Sequence, residues 1–342
     1  MRQLRKGLAL GCLLLAACDG GAGSARPVSS VASTATTVGT AAVPEADLPA
    51  VPKLSWLERR LRDGDPRWAG WLDQAEELRL QILVTVVAPG KPWSTHEFRV
   101  DAEYFYPASA IKTFLAVGAL RIMNDLAGEG ADREIHRRTL IRRCRRDKSD
   151  CWPPRQDEEE DEQGAEVKSA EGEDQKKKHR KLRVGSEIHK MLSYSDNDSY
   201  NRLWDIVGHQ GINEEMTRLG FSAVRLNHRM NAPADKSRRT ARVLLLPPGK
   251  RAIVVPRRSS DFEVSATPAR KLSIGKGHNA GGKIVDEPLD CSRMNHVSLR
   301  DLQRLNRALI FPDQPGAVTL GLTDDQRAYV IKAMTRRLES QK

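Results

Sequence analysis

The chain lacks the spacings that hold a metal ion. It has five cysteines, Cys12, Cys18, Cys144, Cys151 and Cys291, with no C-x-x-C among them, and no H-E-x-x-H occurs, so neither zinc nor any other metal or cofactor is called for. There is no G-x-S-x-G, which excludes the strand-to-helix serine elbow. His189, His209 and His228 make a Ser-His-Asp triad conceivable on residue types alone, but surface or loop positions are the simpler reading of them. No internal repeat is visible, which argues against a solenoid or an array. The leading apolar run, Leu8 to Ala17, is too short to span a bilayer.

That run follows Arg2, Arg5 and Lys6 and has the build of a secretory signal. It ends Leu15-Ala16-Ala17-Cys18, which resembles a bacterial lipobox and implies lipidation of Cys18 and a membrane-anchored envelope protein. An ordinary cleaved signal with a chance cysteine is the alternative. Residues 19–53 are rich in Gly, Ala, Ser, Thr and Pro and read as a flexible tether. An exported chain permits disulfides. Cys144 and Cys151 could close a small loop, leaving Cys291 odd. The formal charge is +11, or +8 without the three basic residues of the leader. Charge alone supports nucleic-acid binding. Anionic lipid and cell-wall polymers are nearer partners for an exported protein, so no nucleic acid is expected.

From Leu54 the chain reads as one α+β domain, 54–342, and a monomer. Leu54 to Leu61 and Trp68 to Leu78 carry helical periodicity. Leu80 to Ala88 and, more weakly, Phe98 to Ala102 read as a strand pair. Ile111 to Met123 is apolar on nearly every face and belongs in the core, with Ser109 placed at its head as a cap. Residues 142–183 carry the opposed runs Asp157 to Glu162 and Lys176 to Lys181 and read as a charged, disordered insertion. Beyond it, Ile188, Met191 and Leu192 mark a short helix. Tyr200 to Val207 is a second helix, closed by Gly208. Val243 to Leu246 and Ile253 to Val255 make a peripheral hairpin. Ser298 and the capping box Thr323-x-x-Gln326 open the last two helices.

The chemistry lies in two short motifs. Ser109-Ala110-Ile111-Lys112 is S-x-x-K at a helix head, a spacing that brings an amine beside a hydroxyl. A serine needs a base to become a nucleophile, and burial lowers the pKa of a lysine enough to make it one. Downstream comes Ser195-Asp196-Asn197. S-x-x-K followed by S-D-N is the pattern of class A β-lactamases and penicillin-binding proteins. Phe105-Tyr106-Pro107-Ala108-Ser109 and the stretch from Tyr194 to Arg202 also resemble that family, and Gly275 to Asn295 with Asn306 to Pro312 resembles envelope serine hydrolases related to class A enzymes. The resemblance implies a β-lactamase/transpeptidase-like fold, a helical subdomain plus an antiparallel sheet. It implies Ser109 as nucleophile, Lys112 as general base, Ser195 as proton relay and Asn197 as a ligand for the substrate's side-chain amide. Asp196 is assigned a structural part in the loop. The backbone N–H of Ser109 would supply half of an oxyanion hole. The substrate would be a β-lactam or a cell-wall peptide.

Two departures from the family pattern bear on turnover. No K-T-G strand follows the Ser298 helix, and Gly275-Lys276-Gly277 is a glycine-flanked turn in the wrong order. The domain is therefore expected to lack its C-terminal strands and helix and to keep only a two-stranded remnant of its sheet. Met230 stands where class A enzymes carry the glutamate that activates the deacylating water, so release from an acyl-enzyme is expected to be slow. These departures also favour a rival, a non-catalytic or degenerate β-lactamase-like binding protein of the envelope.

Overall fold

The computed structural model describes residues 54–87, 92–128, 135, 137–144, 182–263, 272–280 and 282–336. Among the sequence expectations, the signal, Cys18, the tether, Cys151 and the charged runs of the insertion lie outside the described residues. All the described residues belong to one compact unit, Lys53–Lys342.

Helix α1, Trp56–Gly64, begins at a complete capping box: Ser55 accepts from the Glu58 amide and Glu58 accepts from the Ser55 amide. Helix α2, Arg67–Asp73, stops earlier than its periodicity predicts. The chain instead turns through Arg79, whose positive φ of 51° aims its guanidinium at the carbonyls of Tyr104 and Ser273. Those long-range bonds decide against a further helical turn.

Strand β1, Ile82–Val86, pairs antiparallel with β2, Ser94–Phe98, with Ile82 opposite Phe98. The second strand thus lies before the predicted Phe98 to Ala102. Arg99 and Asp101 take positive φ and turn the chain there. The pair forms a separate two-stranded sheet, which needs outside support. Trp56 of α1 stacks on His96 at 4.1 Å, and Arg300 holds Glu97 and Asp101 through paired hydrogen bonds.

A 3-10 turn, Ala108–Ala110, leads into α3, Ile111–Ala127. This helix is buried along most of its length, as an apolar surface on every side requires. It is the axis of the core. Phe114, fully buried, meets Phe221 edge to face at 5.4 Å. Gly118 lets α3 approach its neighbour closely, since a Cβ there would fall 2.2 Å from the Ile212 side chain.

Strands β3, Leu140–Arg143, and β4, Leu182–Arg183, pair antiparallel at the two ends of the predicted insertion, so residues 142, 143, 182 and 183 are ordered. Helix α4, Val184–Ser193, follows. Next come α5, Asn197–Val207, ending at Gly208 with φ 71°, and α6, His209–Arg218. Both α5 and α6 pack on α3. A single short turn, α7, Ala234–Ser237, precedes β5, Val243–Leu246, and β6, Ile253–Val255.

The β5–β6 hairpin is not peripheral. β5 is an inner strand of a four-stranded sheet in the order β4-β3-β5-β6, and Val243, Leu244 and Leu245 are buried. Three consecutive buried residues fit a strand covered on both faces, which alternation along the sequence does not reveal. Gly275-Lys276-Gly277 is a turn between β7, Ser273–Ile274, and β8, His278–Ala280. The latter pairs with β9, Lys283–Val285, while β10, Leu289–Asp290, returns to β7. Helices α8, Leu299–Ile310, and α9, Asp324–Thr335, start at Ser298 and at the Thr323/Gln326 capping box. No helix among the described residues is long and apolar enough to cross a membrane.

Truncating the central contact should be strongly destabilising: Phe114→Ala is expected to lower the unfolding free energy by roughly 3–5 kcal/mol. Phe114→Leu, which keeps most of the volume, should lose clearly less, both read by urea denaturation. A loss in Phe114→Ala below about 1 kcal/mol would show that Phe114 does not anchor α3.

Candidate active site at the head of the buried helix

The backbone shapes this site before any side chain does. Ala108, immediately ahead of Ser109, has φ 43°, and Ser195 has φ 57°. Neither residue is glycine, and left-handed conformations at such residues cost about 1–3 kcal/mol each and cluster at functional sites. Ser109 lies in the 3-10 turn and is exposed. Its hydroxyl does not cap α3, which has no side-chain cap hydrogen bond. It meets the Ser195 hydroxyl instead, with Ser195 Oγ donating to Ser109 Oγ at 2.7 Å.

Lys112 is only 2% exposed. Its amine donates to three acceptors: Ser195 O at 2.5 Å, Ser195 Oγ at 3.0 Å and Asn197 Oδ1 at 2.7 Å. None of the hydrogen bonds given by Nζ goes to Ser109. The sequence spacing assumes one α-helical turn between the two residues. The actual chain places Ser109 in a 3-10 turn and Lys112 one residue into α3, and the amine is taken up by the acceptors of the 195–197 loop. Ser195 therefore stands between Ser109 and the amine in a line Ser109 Oγ, Ser195 Oγ, Lys112 Nζ. Burial pushes the Lys112 pKa down, opposed by the nearby negative charge of Asp196.

The loop that brings Ser195 and Asn197 over the amine is fixed from both sides. Asp196 caps α5, its Oδ1 accepting from the Ser199 amide at 2.5 Å. Partial burial works against the Asp196 charge, but hydrogen bonding from Ser199 and the fields of Arg202 and Lys190 hold its carboxyl below the usual range. Upstream, the fully buried Glu187 of α4 accepts from Ser199 Oγ at 2.8 Å, Lys190 at 2.6 Å and Arg202 at 2.7 Å. Burial opposes its charge, and these three donors outweigh it and keep the carboxyl low. Asn197 Nδ2 has no hydrogen bond among the described residues, so this end of the amide faces outward from the Lys112 contact.

The sequence motifs do not reveal the wall built by 227–231. Asn295, fully buried, accepts at one Oδ1 from the amides of Asn227 at 2.8 Å and His228 at 3.1 Å. Asn201 clamps Met230 from both directions, Nδ2 to its carbonyl and Oδ1 from its amide, each at 3.0 Å. Met230 is buried, with no acidic group in its place. His228 stacks on Tyr106, three residues ahead of Ser109, at 6.4 Å. The one signal for these roles in the sequence is that Asn201 lies in the stretch from Tyr194 to Arg202. The other histidines differ from a surface reading: His209 is buried against Ser260, and His189 bonds Ser193 and Arg336. Among the described residues no histidine hydrogen-bonds Ser109. Cys144 is disulfide-bonded and Cys291 is a free, buried thiol. Among the described residues no group of His, Cys, Asp and Glu could hold a metal ion.

Residues 157–259, which include the Ser195-Asp196-Asn197 loop and α5, match the beta-lactamase enzyme family. No curated protein matches the chain, and no solved structure does. The match covers the S-D-N loop but not Ser109 or Lys112, and with the frame of mixed helices and antiparallel sheets it supports a likeness to the serine β-lactamase/penicillin-binding superfamily.

The depressed pKa of Lys112 is also a statement about stability. Between its folded value and the 10.5 of an ordinary lysine, the unfolded chain binds more protons than the folded one. Stability then rises with pH through that window and is lost as pH falls toward the folded value. Lys112→Met cannot titrate there. The unfolding free energy of the wild type is expected to gain on that of the Met variant as pH climbs toward 10.5, measured by denaturation at stepped pH. A parallel pH dependence in the two proteins would contradict the buried-amine reading.

Proposed function

We propose that the chain forms an acyl-enzyme through Ser109 on β-lactam or cell-wall-peptide amides. Serine acyl-transfer or hydrolysis in general is what the beta-lactamase-like family suggests. The observation that carries the finer reading is the hydrogen-bonded line from Ser109 Oγ through Ser195 Oγ to Lys112 Nζ. With the amine neutral and both hydroxyls rotated to donate toward it, the reverse of the resting bonds, Ser109 gives its proton to Ser195 Oγ as Ser195 passes its own to Lys112 Nζ. Ser109 Oγ then bonds to the carbonyl carbon and the amide electrons move onto oxygen. The backbone N–H of Ser109, at the head of the helix, is one donor to that oxyanion. When the C–N bond breaks, the leaving nitrogen takes a proton back along the same path, through Ser195. Asn197 serves twice, with Oδ1 holding the amine and Nδ2 available to a substrate carbonyl.

Met230 and its backbone clamp supply no base to activate water. The acyl-enzyme should accordingly be long-lived, closer to a penicillin-binding protein than to an efficient β-lactamase. The same observation favours the second reading, a binding protein that retains the pocket without turnover. Attachment to the envelope through lipid on Cys18 belongs to the proposal and rests on the leader sequence.

Incubation with a fluorescent penicillin tests the reading. The intact chain is expected to carry one covalent adduct per molecule, and Ser109→Ala none. Lys112→Ala and Ser195→Ala should slow labelling by about 10²–10⁴-fold, as loss of a general base does. Absence of an adduct on the folded wild type would leave the binding-protein reading. Equal labelling of Ser109→Ala would move the nucleophile elsewhere.

A further inference from the structure

One wide concavity among the described residues does not include Ser109, Lys112 or Ser195. It is a cleft of about 1900 Å³, lined by α5, the 229–241 segment and the strand exit at 257–259. Its lining has seven basic residues against three acidic ones.

The one deeply buried acid is already neutralised. Asp205 accepts from Arg229 at 2.6 Å on one oxygen and pairs with Arg143 at 2.9 Å on the other, and the Ala241 amide adds a third bond. Arg258 lies over the end of α5. A Cβ at Gly208 would come within 3.3 Å of its Cζ, and its Nη2 donates to the Ile206 carbonyl. Its Nε is buried without a hydrogen-bond partner. Burial works against the charge of this guanidinium, with only partial relief from Asp205. At the rim, the exposed side chains of Lys236 and Arg239 make no hydrogen bond or ion pair among the described residues.

We infer that this cleft is a second binding site, separate from the serine site, for an oligomeric phosphate-bearing anion. Guanidinium forks match phosphate oxygens in pairs, and Arg143, Arg202, Arg229, Arg239, Arg257 and Arg258 all line the cleft. Lys236 and Arg239 supply charge that is not ion-paired among the described residues. The volume exceeds the ~300–1,000 Å³ of ordinary small-molecule pockets, so several linked phosphates fit better than one. The Asp205 carboxylate selects nothing itself. It pairs with both Arg143 and Arg229, two of the arginines that line the cleft.

Isothermal titration calorimetry of the full chain with inorganic tripolyphosphate, and separately with orthophosphate, tests the site. Tripolyphosphate is expected to bind saturably with one molecule per chain, at least tenfold more tightly than orthophosphate. The double reversal Lys236→Glu with Arg239→Glu should weaken it at least tenfold, and the milder Lys236→Gln with Arg239→Gln should weaken it measurably if the reversal fails to fold. Lys283→Glu with Arg293→Glu makes the same change in net charge at exposed positions outside the cleft and should leave binding intact. Ser109→Ala should bind like the wild type, which keeps this test independent of acylation. No saturable binding, equal affinity for the two anions, or equal weakening by both reversals would overturn the inference.

Discussion

A lysine amine enclosed under a loop of three polar residues sets the terms for the rest of the fold. An ammonium 2% exposed is unfavourable unless every N–H finds an acceptor. Here two acceptors come from Ser195 and one from Asn197. Those acceptors exist only if the loop sits directly above Lys112, which in turn requires the left-handed turn at Ser195 and the cap at Asp196. The buried amine and the loop therefore depend on each other for hydrogen-bond satisfaction.

Rigid elements hold both halves of that contact. Lys112 rides on α3, whose apolar surface is gripped by α5 and α6 and by the Phe114–Phe221 contact. The loop is anchored at both ends, by α4 through Glu187 and by α5 through Ser199, with one carboxylate joining the two helices. Such support keeps a reacting constellation within the narrow tolerance that acyl transfer demands. The 227–231 wall is held as firmly by Asn295 and Asn201, yet it presents a methionine rather than an acid. Among the described residues the wall facing the serine site thus offers Met230 and backbone groups, and no carboxylate.

Charge is partitioned along the same helix. Asn197 opens α5 at the serine site, while Arg202 and Asp205 line the basic cleft. Arg143, Arg229 and Arg258 at that cleft are ordered by Asp205 and by backbone carbonyls. That ordering separates this part of the net positive charge from general basicity.

Much is legible from residue order, because some constraints are local. The apolar run of α3, the capping signals at Thr323 and Ser298, and the S-x-x-K and S-D-N tripeptides need no knowledge of distant contacts. What escapes it depends on partners far along the chain. The early end of α2 is set by Tyr104 and Ser273. The inner position of β5 is set by β3, and the burial of His209 by Ser260. Sequence alone determined that a serine, a lysine and an S-D-N loop are present and that one helix must be buried. Only the tertiary structure decided that Ser195, not the helical turn, links Ser109 to the amine, and that the arginines of four separate segments share one cleft. Covalent spacing fixes what neighbours along a chain can do, while burial and hydrogen-bond satisfaction between remote segments fix which of them meet.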